Sequence, residues 1–158
     1  MNSESRPYDV MIDTIRRGID PGADRDARMQ VVVDVLWDGL RDQGLSWVGF
    51  YTAREDGTGL DLGPHRDKPA CTPIGLHGAC GQSLHSGRAL VVRDVLELGD
   101  HYIACDPRDR SEVVVPVRDE QGTIWGVLDL DSHDVGAFDE SDAAGLARVL
   151  AATFRNAD

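Results

Sequence analysis

The chain has 158 residues, 41% of them hydrophobic, with 16 Lys and Arg against 28 Asp and Glu and a net charge of −12. That length fits one domain able to bury a core of its own, and the negative field argues against phosphate backbones as partners, so nucleic-acid binding is not expected. No apolar run reaches the roughly 18 residues that span a bilayer, and the start, MNSESRPYDVMID, lacks the basic-then-apolar order of a secretory signal, so the expectation is no membrane association and a cytoplasmic location.

Residues 1–23 are polar and broken by Pro7, Gly18, Pro21 and Gly22, and read as an N-terminal segment in which YDVMIDTIRRGI forms a short helix. Residues 24–158 read as the domain proper. It opens with a firmer helix, capped by Asp24 or Asp26, in which Met29, Val33, Leu36, Trp37 and Leu40 recur at helical spacing. Gly44 ends that helix. LSWVGFYTA is a strand, REDGTGL a turn and GLDLG a short strand, with a weaker one near Cys71. GACGQSLHSG is a short helix between glycines, RALVVRDV a strand, and residues 96–110 a long loop carrying Cys105. SEVVVPVRDEQGTIWGVLDLDS is a β-hairpin turning at EQG. FDESDAAGLARVLAATF is a closing helix capped by Asp139, with Leu146, Val149, Leu150 and Phe154 on one face. Helices flanking hairpin-connected strands give an α+β fold with a mostly antiparallel central sheet.

Alternation along the strands sorts the polar groups. Trp47, Gly49 and Tyr51 share one face of the first strand. Asp129 and Asp131 share a face with Val127, and Glu112 shares one with Val114 and Pro116. A two-residue loop at Gln121–Gly122 sets Asp131 opposite Glu112; a loop centred one residue earlier sets Asp129 there. Both registers gather three carboxylates on one face, whereas a loop one residue longer or shorter turns Glu112 away. Opposed like charges destabilise a strand pair, so in a dry cleft at least one of these acids holds a proton near neutrality and serves as a proton source or a cation site. A wet sheet edge with solvated acids is the alternative.

The three cysteines, Cys71, Cys80 and Cys105, are an odd number, which argues against a disulfide framework. They leave core thiols, metal ligands or redox groups. A zinc site completed by His77, His85 or His101 lacks the close ligand pairs such sites use. Cys80, within GACGQSL, reads as a small buried hydrophobe. Cys105 lies among Asp106, Arg108, Asp109 and Arg110, where the arginines favour a thiolate and the aspartates oppose it.

SWVGFY, KPAC, GACG, IACD, RSEVVVPV, GVLDLDS and FDESD together resemble the free methionine-(R)-sulfoxide reductases, which are single GAF-domain enzymes. The resemblance runs from about residue 28 to residue 155. It implies a GAF-like fold, Cys105 as the catalytic cysteine, Cys71 as the resolving cysteine and Cys80 as a third that takes part in disulfide exchange. It implies Glu112, Asp129 and Asp131 as pocket acids, with Asp131 the expected proton donor and Glu112 beside it, and Trp47 and Tyr51 as substrate-lining aromatics. The runs CTPIGLHGACG and GDHYIAC depart from the family pattern in length.

The activity so implied is reduction of free methionine-(R)-sulfoxide through a sulfenic acid and an intramolecular disulfide, recycled by thioredoxin or a similar dithiol, with neither metal nor organic cofactor. Homodimerisation through terminal helices is compatible with the sequence. The competing class is a non-enzymatic GAF ligand sensor, which has no need of thiols at these three places.

Overall fold

Helices form where apolar spacing is helical, and in the helices Arg25–Leu40 and Glu140–Leu150 a capping aspartate satisfies a free N–H of the first turn. In the computed structural model of the protein, which describes residues 6–102 and 105–155, α1 spans Tyr8–Gly18 and α2 spans Arg25–Leu40. Asp24, not Asp26, is the α2 cap: its carboxylate accepts from the Ala27 N–H at 2.9 Å. α2 buries Met29, Val32, Val33, Leu36 and Leu40, while Trp37 of the expected stripe packs at the flank, partly exposed. A 3-10 turn over Arg41–Gln43 follows, and Gly44, at φ 98°, stops the helix.

Five strands pair antiparallel in the order β2-β1-β5-β4-β3: β1 (Trp47–Ala53), β2 (Leu60–Arg66), β3 (Leu90–Val92), β4 (Ser111–Arg118) and β5 (Ile124–Ser132). α3 (Ala79–Ser86) and α4 (Glu140–Leu150) complete the α+β architecture. β2 is longer than GLDLG and contains Pro64, which an edge strand tolerates. The weak strand near Cys71 reduces to one bridge, Leu60 to Ile74. Residues 96–110 are not loop throughout, because Val95–His101 makes 3-10 turns begun by Asp94, whose side chain accepts from the Leu96 N–H.

The two faces of the sheet have different work. Val48, Phe50, Val113, Val115, Val117, Leu128 and Leu130 pack under α1, α2 and α4 as the main core. Trp47, Tyr51, Val114 and Val127 face the other way, against Ala79 and Cys80 of α3. Each large aliphatic side chain taken fully out of water contributes about 1.5–3 kcal/mol. A one-residue slip would turn the whole core set outward, so the main core fixes the register.

The hairpin reaches the first of the two expected registers, Asp131 opposite Glu112, by another route. Its loop has three residues, 120–122: the Asp119 N–H donates to the Thr123 carbonyl at 2.9 Å, and Gly122 adopts φ 82°. That extra residue alone would turn Glu112 away. A bulge offsets it, since Val117 pairs with Gly126 but Arg118 with Ile124, leaving Trp125 unmatched. Glu112 therefore still faces Asp131.

Candidate functional site

β1, β4 and β5 lie side by side and present their second face in adjacent rows. Trp47 pairs with Asp131 and Gly49 with Asp129 across β1 and β5; Glu112 pairs with Asp131 and Val114 with Asp129 across β4 and β5. The side chains of Trp47, Tyr51, Glu112, Asp129 and Asp131 thus line one cavity, which Cys80 closes from α3 and Cys105, Asp106 and Asp109 border from the segment after residue 104. Gly49 is required here because the Trp47 indole lies over it, and a Cβ would overlap the ring.

Cys71 and Cys105, 34 residues apart, are joined by a disulfide with their Cα atoms 5.6 Å apart. Both residues are exposed, whereas Cys80 is free and 5% exposed. The odd count argued against a disulfide framework; the bond that forms is a single one bordering the cavity. Burial, then the charges of Asp129, Glu112 and Asp131, push the Cys80 thiol well up, so it stays a thiol.

The acids are held in a form that keeps protons. Glu112 is 8% and Asp129 4% exposed, and Asp131 is partly buried. Burial pushes the Glu112 carboxyl up, opposed by hydrogen bonds with Asp129 and Asp131. Such carboxyl–carboxyl bonds require a shared proton. Burial is also the first cause raising Asp129, followed by the charges of Asp131 and Glu112; Asp131 is raised by burial, then by Glu112 and Asp109. Asp129 Oδ1 is buried with no hydrogen-bond partner among the described residues. These are the raised carboxyls that the face count anticipated.

The two aromatics also hold the segment that carries Cys71. Trp47 Nε1 donates to the Lys68 carbonyl at 2.9 Å, and the Tyr51 hydroxyl donates to the Cys71 carbonyl at 2.8 Å. Lys68 Nζ lies 3.6 Å from Asp106 Oδ2, tying this segment to the one that carries Cys105.

The GAF domain family matches residues 24–157. The free methionine-R-sulfoxide reductase of Escherichia coli is 37% identical over 119 residues, covering 74% of this chain and 68% of that protein. The fRMsr of Staphylococcus aureus, solved in a reduced form and in complex with substrate, is 31% and 29% identical over all of both chains, with a TM-score of 0.86. The free methionine-R-sulfoxide reductase of Neisseria meningitidis, solved with its substrate, is 30% identical over 99% of this chain and 93% of that one, with a TM-score of 0.81. The chain belongs to the GAF-domain free methionine-R-sulfoxide reductase family. It is an oxidoreductase of that family, and the sensor alternative is not favoured.

Sequence reasoning about this reductase family member missed Tyr102, Lys68 and Asp109 as cavity residues. None lies on a strand, so no alternation marks them. Asp109 was weighed only for its effect on Cys105. In place, burial and the Asp106 charge push it up to about 6, against the pull of His133. Asp106 beside it is held well below the usual carboxylate range, chiefly by its hydrogen bonds with Arg108.

Proposed function

We propose that the chain reduces free methionine-(R)-sulfoxide to methionine, with Cys105 as the nucleophile and Cys71 as the resolving cysteine. The observation that carries this reading is the Cys71–Cys105 disulfide bordering a cavity floored by Glu112, Asp129 and Asp131. A sulfoxide oxygen leaves only as it is protonated. The Cys105 thiolate attacks sulfur and forms an S–S bond while a protonated carboxyl, Asp131 with Glu112 beside it, donates to oxygen; the resulting hydroxyl passes to the Cys105 sulfur as the S–S and S–O bonds of the adduct break. The oxygens of Asp129 and of the acid that does not donate accept from the substrate ammonium, and the Trp47 and Tyr51 rings wall the S-methyl end. Methionine leaves and Cys105 is left as a sulfenic acid. Cys71 attacks it, water departs, and the disulfide forms; thioredoxin or a similar dithiol then returns both thiols. Cys80, buried and kept protonated, stands aside from the first exchange. A reducing, cytoplasmic setting suits that cycle, and a homodimer through the terminal helices is compatible with it.

Mixing the reduced protein with one equivalent of each separated sulfoxide epimer tests this. The R epimer yields methionine with loss of two thiols per chain, and the S epimer yields neither. Turnover by Cys105→Ser, equal rates on both epimers, or binding without thiol loss refutes the scheme; the last result is what a ligand sensor would give.

A further inference from the structure

β5 leads out of the cavity as a ladder of proton-carrying side chains. Asp129, Asp131 and, just past the strand end, His133 alternate onto one side. Exposure rises along them: Asp129 is 4% exposed, Asp131 partly buried, and the His133 side chain 37% exposed. Beside the outer rungs sits Asp109, which lines the cavity yet keeps 12% of its side chain exposed. His133 Nε2 is 3.7 Å from Asp109 Oδ1 and 3.6 Å from Asp106 Oδ2, so a small ring rotation brings it within hydrogen-bond reach of Asp109. The Ser46 hydroxyl donates to the Asp131 main-chain carbonyl at 3.0 Å and lies 3.4 Å from Asp109 Oδ1, fixing that carboxylate beside the buried acids.

We propose that Asp109 and His133 form the path by which a proton from solvent reloads the buried Glu112, Asp129 and Asp131 carboxyls after each reduction. The proposal rests on the reductase reading above. In that reaction the sulfoxide S–O bond breaks and an S–O bond to Cys105 forms. The Cys105 sulfur loses the two electrons that the substrate sulfur gains, and one buried carboxyl gives up its proton and is left ionised. A carboxylate at that depth regains a proton only through groups within reach. The His133 imidazolium passes one to Asp109, Asp109 passes it inward, and the imidazole takes another from solvent; the proton that enters is balanced by the one the returned Cys105 thiol releases to solvent when it ionises for the next attack.

The surroundings of Asp109 suit a relay. Asp106 and Arg108 face it from its own segment, Tyr102 from the turn before, Glu112 from β4, and Asp129 and Asp131 from β5. The acids outnumber the cations, and with burial they raise Asp109 to about 6, where a carboxyl both takes and gives a proton near neutrality. Asp106 is unsuited to the same task because Arg108 and Lys68 keep it ionised.

Asp109→Asn and His133→Gln test the path in the full chain, assayed with free methionine-(R)-sulfoxide and dithiothreitol raised until kcat no longer responds to it. Each variant is expected to lose about tenfold in kcat with KM within about twofold. Formate restores most of the loss in Asp109→Asn, and imidazole restores it in His133→Gln. His133 is on the surface, so its replacement leaves the core untouched. Unchanged kcat in both variants, a loss that added formate and imidazole leave in place, or a loss carried by KM overturns the relay while the reductase reading stands. A parent chain that forms no methionine overturns that reading and the relay with it.

Discussion

Glu112 sits directly opposite Asp131 on the paired strands β4 and β5, and both carboxyls face the same cavity. A sheet gains nothing from opposing two acids. With Asp129 on the same face, burial and mutual repulsion raise these carboxyls, and a retained proton relieves the repulsion. The fold therefore carries an electrostatic cost at the site, and that cost depends on pH.

Its sign can be worked out. Glu112, Asp129, Asp131 and Asp109 all have raised carboxyls, Asp109 to about 6. Between the unfolded value near 4 and the folded value, the native state holds more protons than the unfolded chain, so stability rises as pH falls through that window. Asp106 and Asp139 are lowered, Asp106 chiefly by Arg108 and Asp139 chiefly by Ser141; their contribution is lost only below about pH 4. Thermal melts should therefore give a higher Tm near pH 5 than at pH 8, by about 2–4 °C for each kcal/mol of relief. Asp129→Asn should raise Tm at pH 8 and flatten the profile. A parent profile that falls steadily from pH 8 to pH 5 would contradict the raised carboxyls.

The cysteines predict three different thiol counts. The reduced parent has three thiols and the oxidised form one, that of buried Cys80. Cys71→Ser should form one equivalent of methionine and stop, with Cys105 trapped as a sulfenic acid that a cyclic 1,3-dione labels. Cys80→Ala should still close the 71–105 bond, going from two thiols to none, at a cost of about 1 kcal/mol in stability. Failure of Cys80→Ala to close that bond would make Cys80 an obligatory exchange partner.

What could be read from the sequence is what repeats. Period-two alternation put Trp47, Tyr51, Glu112, Asp129 and Asp131 on common faces, and helical spacing found the buried faces of α2 and α4. The turn at EQG and one of the two expected registers match the structure, although that register was expected from a two-residue loop: the three-residue loop and the Trp125 bulge cancel in the count, and pairing depends only on their sum. Spacing left the roles of the three cysteines open, and the 71–105 pairing followed only from family likeness. The sequence marks Asp109 only as a charge near Cys105 and does not mark His133, because a loop has no period, and their proximity exists only after β5 and the Cys105 segment have packed.

Tyr51 links the sheet to Cys71 through its 2.8 Å hydrogen bond to the Cys71 carbonyl. Tyr51→Phe keeps the ring and loses that bond, which is worth about 1 kcal/mol. The loosened segment should slow disulfide closure by about fivefold while methionine release changes less. Rapid-quench thiol counts set against methionine formed separate the two steps. Equal slowing of both would mean that the hydroxyl acts on the substrate instead.

A single buried carboxylate, that of Asp142, holds the N-terminal helix. Asp142, 2% exposed, accepts from the Tyr8 hydroxyl at 2.6 Å and from Arg6 Nη1 at 2.9 Å, and its Oδ2 also accepts from the Asp139 N–H to complete the α4 capping box. Gly145, one turn further along α4, leaves room for the Tyr8 ring; a Cβ there would overlap it. One carboxylate thus joins residue 6, α1 and the start of α4. Tyr8→Phe removes one partner and should cost about 1–2 kcal/mol. Asp142→Ala leaves the buried Tyr8 phenol without an acceptor, takes the carboxylate from a partly buried Arg6 that keeps the Gln43 and Ala137 carbonyls, and opens the cap; it should cost about 3–5 kcal/mol. Because both substitutions act on the same oxygen, the double variant should be less destabilised than the sum of the singles, by about 0.5–3 kcal/mol in urea unfolding. Strict additivity would mean that α1 docks through Met11, Ile12 and Ile15 alone, with the polar staple contributing only geometry.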